Sequence, residues 1–208
     1  MVESALNTVA ILENLSFSDN IISIKSSSPR LTIETYRALS KVVDYPIHVG
    51  VTEAGTVRQG IIKSSVGIGT LLAEGIGDTI RVSLTGDPVD EVFAGIGILK
   101  ALDLRKSGIS LVSCPTCGRT KVPLIRLVTE IENQICNMPY DLKVAVMGCV
   151  VNGPGEASDA DIGLAGGINE FLLFKKGEVV RKISSDDVVS QFVEEVRQLG
   201  EEKKCLKS

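Results

Sequence analysis

The chain has 208 residues, of which 44% are hydrophobic, and its formal net charge is −4. This length suffices for one large or two small domains, and the composition is typical of a folded α/β protein and not of a disordered one. The negative charge argues against nucleic acid as the main partner, because phosphate backbones attract basic surfaces.

Neither a secretion signal nor a transmembrane helix is expected. Residues 1–6 contain no basic segment followed by an apolar core, and no run of 18 or more apolar residues occurs in the chain. The five cysteines are therefore expected to be reduced thiols or metal ligands of a cytoplasmic protein that does not associate with a membrane.

The first half of the chain alternates helical and strand-like patterns. Apolar spacing predicts helices over 4–15, through Tyr36 and Leu39, over 59–74, and through Val92 and Leu99, and β-branched runs predict strands over 21–25, 46–53 and 79–84. Ser28-Pro29 and Asp87-Pro88 are typical helix starts, with a capping side chain before a proline. Strand and helix alternating at near-constant spacing predict parallel βαβ units.

Three charged residues recur at matched positions of these strands. The interval from Lys25 to Glu53 equals the interval from Glu53 to Arg81, and each residue lies in or at the end of an otherwise apolar run. Because ligands bind at the carboxyl ends of parallel strands, the three are expected to face one pocket. The alternative interpretation is that each merely ends its strand in solvent.

Three parallel strands cannot close a barrel, which takes roughly 250 residues. They leave two sheet edges unpaired, which is an association hazard. The sequence therefore predicts either a small open sheet or a part of something larger.

The pattern changes near residue 106, where a domain boundary is expected, giving domains over 1–106 and 107–208. The second domain is predicted to contain a strand over 109–113, a helix through 124–135, a strand over 142–147, a glycine-rich segment over 158–170, a hairpin of 171–174 with 179–183, a helix over 185–199 and a frayed charged tail.

Three cysteines lie in two loops that each follow a strand-like run. Cys114 and Cys117 form a C-x2-C pair, and Cys149 lies in the second loop, further along the chain. Thiols in this arrangement can converge on one metal ion or cluster. A C-x2-C pair alone also fits thiol–disulfide chemistry, but a redox pair would not need Cys149. A structural zinc site requires four ligands, and the one histidine, His48, lies in the other predicted domain.

The remaining ligand candidates are less clear. Cys136 is expected to pack beside Ile135, and Cys205 to lie in the frayed tail. Glu156, which follows the Gly-Pro-Gly turn, is the nearest candidate for a fourth, oxygen ligand. The alternative is that Glu156 is simply a glutamate at a helix start.

The two cysteine loops carry a family resemblance. Cys114-Pro115-Thr116-Cys117 together with the segment GCVVNGPGE over 148–156 resembles the 4-hydroxy-3-methylbut-2-enyl diphosphate synthase family of the methylerythritol phosphate isoprenoid pathway. The segments ISIK over 22–25, GVTEAG over 50–55 and EGIGDTIRVSL over 74–84 are similar to the barrel motifs of that family, in the same order.

The resemblance implies an activity and a cofactor. The family carries out the two-electron reductive ring opening and dehydration of 2-C-methyl-D-erythritol 2,4-cyclodiphosphate. It implies that Cys114, Cys117 and Cys149 hold a [4Fe–4S] cluster, with Glu156 as the displaceable ligand of the fourth iron. It further implies that electrons come from reduced flavodoxin or ferredoxin, and that the enzyme is a homodimer in which the cluster domain of one subunit covers the barrel of the other.

The resemblance also assigns roles in the first domain. Glu53 matches a general acid for the departing hydroxyl. Lys25, Arg81 and Ser83 match residues that bind the diphosphate.

The family has a whole (β/α)8 barrel before its cluster domain, and the resemblance implies that this α/β chain consists of the C-terminal strands of that barrel followed by the smaller α/β iron–sulfur domain. The N-terminal barrel half is expected to be missing, and the chain alone is expected to show little or no turnover. Two alternatives remain open: an iron–sulfur electron-transfer module without substrate chemistry, and a zinc-stapled binding domain.

Overall fold

A computed structural model describes residues 1–106, 108–151, 153–168 and 170–207. Asn152, which belongs to the second cysteine loop, and Ser107, where the second predicted domain begins, lie outside the described residues. The chain folds as two compact units, Met1–Arg105 and Lys106–Ser208. Among the helices that are described, none is both long and apolar enough to span a membrane.

Unit 1 is built from parallel β-α steps. Its helices are α1 (Val2–Asn14), α2 (Pro29–Leu39), α3 (Val57–Ala73) and α4 (Pro88–Ala101), and its strands are β1 (His48–Gly50) and β2 (Thr79–Arg81). The two strands pair in parallel, with His48 opposite Thr79 and Gly50 opposite Arg81. The predicted βαβ pattern is confirmed, although both strands are shorter than predicted.

The predicted helix starts are confirmed. The Ser28 side chain accepts a hydrogen bond from the Leu31 amide at 3.3 Å, and the Asp87 side chain accepts one from the Val89 amide at 2.8 Å. In both helices a proline follows the capping residue, where its missing N–H costs nothing.

The predicted strand over 21–25 is not a regular strand. It contacts β1 through two isolated parallel bridges, Ile22 with Ile47 and Ser26 with Val51. Between these bridges the hydroxyl of the fully buried Tyr36 accepts a hydrogen bond from the Ile24 amide at 2.9 Å and donates one to the His48 carbonyl at 2.7 Å. The tyrosine hydroxyl therefore bridges the two segments where a direct ladder bond would otherwise form.

One face of this small sheet forms the core of unit 1. Val49 and Val82 are at most 3% exposed and pack with Leu39 and Ile68 of the helices. Because side chains alternate between the two faces of a strand, the residues next to these valines point to the opposite face. That opposite face carries the polar residues discussed below.

Unit 2 is a mixed five-stranded sheet within the described residues. Its strands, in spatial order, are β3 (Ser110–Ser113), β4 (Lys143–Met147), β5 (Ile162–Gly166), β6 (Glu170–Lys175) and β7 (Glu178–Ser184). The first three are parallel, and β6 and β7 are antiparallel to their neighbours. Its helical segments are α5 (Leu124–Ile135), the short α6 (Gly153–Glu156), a 3-10 turn (Ser185–Asp187) and α7 (Val188–Lys207).

The predicted hairpin of unit 2 is confirmed. Lys176 and Gly177 both have positive φ, 50° and 80°, as the tight turn between β6 and β7 requires.

The prediction for residues 158–170 missed a strand. Ile162–Gly166 is a fully buried strand, β5, inside the sheet. Its Gly163 lies beneath the ring of Phe174, because a Cβ on that glycine would stand 2.1 Å from the ring. Gly163, which weakens the strand pattern in the sequence, is therefore the residue that leaves room for the ring of Phe174.

The prediction of a frayed tail was wrong, since α7 is helical through Lys207. Gly200 packs directly on the ring of Tyr140, and Lys203 forms an ion pair with Asp161 at 2.5 Å. These contacts anchor the last turns of the helix. Cys205 accordingly lies in the helix, and Cys136, expected to pack in the core, is exposed at the end of α5.

Candidate functional site

The open face of the unit 1 sheet carries two rows of polar residues. The register places Lys25, Gly50 and Arg81 in one row, and Ser23, His48 and Thr79 in the next. Gly50 leaves room for its neighbours, because a Cβ there would meet the Arg81 carbonyl at 2.8 Å and the Lys25 side chain at 3.4 Å. The structure thus brings Lys25 and Arg81 together.

The charges of Lys25 and Arg81 are not balanced by an ion pair among the described residues. In the described part of the chain neither forms an ion pair. Partial burial, and then the charge of Arg81, lower the pKa of the Lys25 ammonium. Both effects disfavour the charged form of Lys25, and an anion bound beside it would favour that form.

Glu53 and Ser83 lie further along the same strands. Glu53 is exposed in the turn after β1 and has φ +51°, a left-handed backbone that a glutamate seldom adopts. Such outliers cluster at functional sites. Ser83 is half-buried and follows Arg81 by two positions, on the same side of the strand. Glu53 does not contact Lys25 or Arg81 through any ion pair or hydrogen bond of the described residues.

The sequence prediction passed over His48. Its Nδ1 lies 2.8 Å from the Thr79 hydroxyl, one row away from Lys25 and Arg81. Partial burial, and then the charges of Lys25 and Arg81, lower the pKa of its imidazole. The signal was present in the sequence, because His48 lies two positions before Gly50 and therefore on the same face.

The second candidate site is built from the two cysteine loops of unit 2. Cys114 directly follows β3, and Cys149 follows β4 by two positions. Since β3 and β4 are parallel neighbours, the two loops leave the sheet at the same edge. The Lys121 amide donates a hydrogen bond to the Gly148 carbonyl at 3.0 Å, which ties the loops together.

Each thiol of this site has a distinct environment. Cys149 is buried, Cys114 is half-buried and accepts a hydrogen bond from the Gly148 amide at 3.2 Å, and Cys117 is exposed. The Arg119 amide, the Thr120 hydroxyl and the Thr120 amide are hydrogen-bond donors that lower the pKa of the Cys117 thiol, assisted by the Arg119 charge. These donors favour the thiolate, which is the form that ligates metals.

Glu156 is exposed and ends the short helix α6. That helix lies close to the sheet, because a Cβ on Gly153 would meet Met147 at 2.9 Å and Ala165 at 3.0 Å. Across the described residues no three or more His, Cys, Asp or Glu side chains come close enough to bind a single metal ion. The structure therefore brings the two loops to one edge without closing a ligand set around a single ion.

The donor set fits an iron–sulfur cluster. Three thiols from two loops are available, with amide N–H groups directed at Cys114 and Cys117. Clusters are held by cysteine thiolates, and hydrogen bonds to their sulfurs tune the reduction potential.

Comparison with known proteins gives the family. Residues 1–96 match the family model described as the GcpE TIM-barrel domain, and residues 110–198 match the GcpE protein C-terminal domain. This chain belongs to the GcpE family. The resemblance drawn from the cysteine loops is thereby confirmed.

Two curated relatives of this GcpE-family chain carry the name 4-hydroxy-3-methylbut-2-en-1-yl diphosphate synthase (flavodoxin). The protein of that name from Ruminiclostridium cellulolyticum is 62% identical over 199 residues, which is 96% of this chain and 56% of the relative. That from Geobacter sulfurreducens is 56% identical over 203 residues, 98% of this chain and 58% of the relative. The chain thus spans about half the length of the curated relatives it matches.

Proposed function

We propose that this chain is the C-terminal portion of a 4-hydroxy-3-methylbut-2-en-1-yl diphosphate synthase. In this proposal unit 1 supplies the last strands of a (β/α)8 barrel and unit 2 is its iron–sulfur domain. The observation that carries the proposal is the pair of cysteine loops on neighbouring parallel strands, with the Gly148 amide donating to the Cys114 sulfur. The names of the relatives supply the product of the reaction.

The proposed substrate is 2-C-methyl-D-erythritol 2,4-cyclodiphosphate. Lys25 and Arg81 would bind its diphosphate, since both are cations without an acidic partner among the described residues, and Ser83 would donate a further hydrogen bond. Glu53 would protonate the departing hydroxyl, which leaves as water.

The cofactor in this proposal is a [4Fe–4S] cluster held by Cys114, Cys117 and Cys149, with Glu156 as the fourth ligand. When bound, the cluster supplies the two electrons of the reductive ring opening one at a time. The residues of the chain hold it, and the amides at Gly148 and Arg119 stabilise the thiolates.

The partners follow from the same proposal. Reduced flavodoxin, which the relatives' names include, or ferredoxin would deliver electrons, and the enzyme would act as a homodimer. We place the protein in the cytoplasm, where thiols stay reduced.

Anaerobic purification followed by iron and sulfide analysis tests the proposal. We expect about four irons and four sulfides per chain and a brown colour, lost in C114S, C117S and C149S. The matched control is C136S, which removes an exposed cysteine outside the loops and should keep the full iron content. Zinc in place of iron, or equal iron in all four variants, would contradict the proposal.

Replacing Glu156 with Gln separates the synthase from an electron-transfer module. If Glu156 is a ligand, E156Q changes the spectrum and the stability of the cluster. An unchanged cluster in E156Q would favour the electron-transfer alternative.

A further inference from the structure

We propose that His48 is a third anion-binding group of the unit 1 face, which binds the same diphosphate as Lys25 and Arg81. The inference rests on the proposed function for the identity of its ligand. It goes further by assigning a residue that neither the spacing of the charged residues nor the family resemblance singled out.

The geometry carries the assignment. His48 lies opposite Thr79 in the paired strands, and Lys25 lies across Gly50 in the adjacent row of the same face. The Thr79 hydroxyl, 2.8 Å from Nδ1, fixes the ring. In the tautomer whose Nδ1 accepts from that hydroxyl, the proton of the neutral ring resides on Nε2, on the opposite edge, where it can be donated to a ligand.

The main chain of His48 is held in place as well. Its carbonyl accepts the hydrogen bond from the buried Tyr36 hydroxyl at 2.7 Å. A residue held through both its main chain and its ring loses little further freedom on binding, which favours affinity. Such rigid support is what a positioned binding group requires.

Charge complementarity completes the argument. The charged groups that face His48 are Lys25, from the segment paired on one side, and Arg81, from strand β2 on the other. Both disfavour protonation of the imidazole in the free chain. A bound diphosphate reverses the local field, so that binding of the anion and protonation of His48 favour each other.

The expected behaviour can be measured on the intact 208-residue chain. His48 is the only histidine, so its ring signals in an NMR spectrum need no assignment by mutation. We expect the pKa of His48, followed through the ring Cε1–H signal, to rise when inorganic pyrophosphate is added. Pyrophosphate itself changes its protonation state in the same pH range. Its affinity for the wild-type chain is therefore compared with its affinity for each variant at the same pH.

A pair of isosteric variants separates the two ring nitrogens. H48N keeps a polar group at the Nδ1 position beside Thr79 and removes the outward donor, so pyrophosphate should bind about tenfold more weakly at pH 6, the cost of one charge-assisted hydrogen bond. H48Q places an amide near the Nε2 position and should bind pyrophosphate more tightly than H48N does at the same pH. K41Q, which removes an exposed charge in the loop between α2 and β1, should bind as the wild type does.

Two results would overturn the inference, and they differ in what they mean for the proposed function. If pyrophosphate binds and K25Q weakens it while the pKa of His48 stays unchanged, His48 is not a ligand and the proposed diphosphate site stands. If pyrophosphate does not bind, both the inference and the diphosphate site in this chain fail, and the cluster assignment is decided separately by iron analysis.

Discussion

Thr120 links the two cysteine loops through one hydrogen bond and one packing contact. Its hydroxyl accepts a hydrogen bond from the Cys117 amide at 3.0 Å and lies 4.0 Å from the Cys117 sulfur. Its side chain also packs on Gly148, where a Cβ would stand 3.1 Å from it. Thr120 is therefore a positioning residue, which holds Cys117 relative to the loop of Cys149.

We predict that T120V weakens binding of the proposed cluster by about tenfold, the usual cost of losing a supporting contact around a metal ligand. The variant should also lower the reduction potential, because a hydrogen bond to a cluster sulfur stabilises the more negative, reduced state. Chelator-driven loss of iron and a redox titration followed by EPR measure the two effects.

T120S is the matched control, since serine keeps the hydroxyl and loses only a methyl group. It should keep the wild-type potential. If T120V and T120S shift the potential equally, packing against Gly148 and not the hydroxyl is what matters.

At this scale the sequence predicted the candidate ligands but not their surroundings. The C-x2-C spacing pointed to Cys114 and Cys117, and the repeated interval between charged residues pointed to Lys25 and Arg81. Thr120 escaped because its role depends on which atoms meet between the loops, and residue type alone does not show that. His48 was overlooked although its position two residues before Gly50 already places it on the same face of the strand.

Strand formation illustrates the same limit for whole elements. Alternation and capping residues correctly predicted the helices α2 and α4 and the β6–β7 hairpin, because those signals are local. The strand β5 was missed because Gly163 weakens the strand pattern in the sequence. The reason for a glycine there is the ring of Phe174, its cross-strand neighbour, which leaves no room for a side chain. The segment over 21–25 was predicted as a regular strand because nothing local reveals the Tyr36 hydroxyl between it and β1.

This hydroxyl gives a prediction for the first βα step. Y36F removes the partner of the Ile24 amide and of the His48 carbonyl, so the free energy of unfolding should fall by about 1–3 kcal/mol. Urea unfolding measures the loss, and faster hydrogen exchange of the Ile24 amide locates it.

Y45F is the control for that experiment, because the exposed Tyr45 hydroxyl donates a hydrogen bond to the Glu13 carboxylate at the surface. We expect no measurable loss in Y45F. An equal loss in the two variants would contradict a special role of Tyr36.

The Y36F deficit should depend on pH. Burial is the main reason that the pKa of the Tyr36 phenol is raised. The fold therefore favours the neutral phenol, and this stabilisation is complete below the ordinary tyrosine pKa of about 10. It is lost as the pH rises above that value, so the difference between wild type and Y36F should shrink in alkali.

For the whole molecule, the net charge of −4 conceals a local cationic face. Lys25 and Arg81 lie side by side without acidic partners in the described residues, while acidic residues elsewhere dominate the sum. The total charge disfavours nucleic acid as the main partner, yet it carries no information on a small phosphorylated ligand. The register of three neighbouring segments places the two cations on that face.

The last prediction concerns turnover by this chain. The sheet of unit 1 pairs only the segment over 22–26, β1 and β2 among the described residues, and the curated relatives are nearly twice as long. A face open to solvent can bind a diphosphate but weakens each contact with Lys25 and Arg81 by screening, whereas a closed site excludes water and strengthens each contact. We therefore expect the cluster-loaded 208-residue chain, supplied with a chemical reductant, to convert little or none of the cyclodiphosphate. Mass spectrometry measures the amount of product, and the full-length Ruminiclostridium cellulolyticum protein is assayed in parallel as the control. Appreciable conversion by the chain alone would contradict the prediction and show that the open face suffices for turnover.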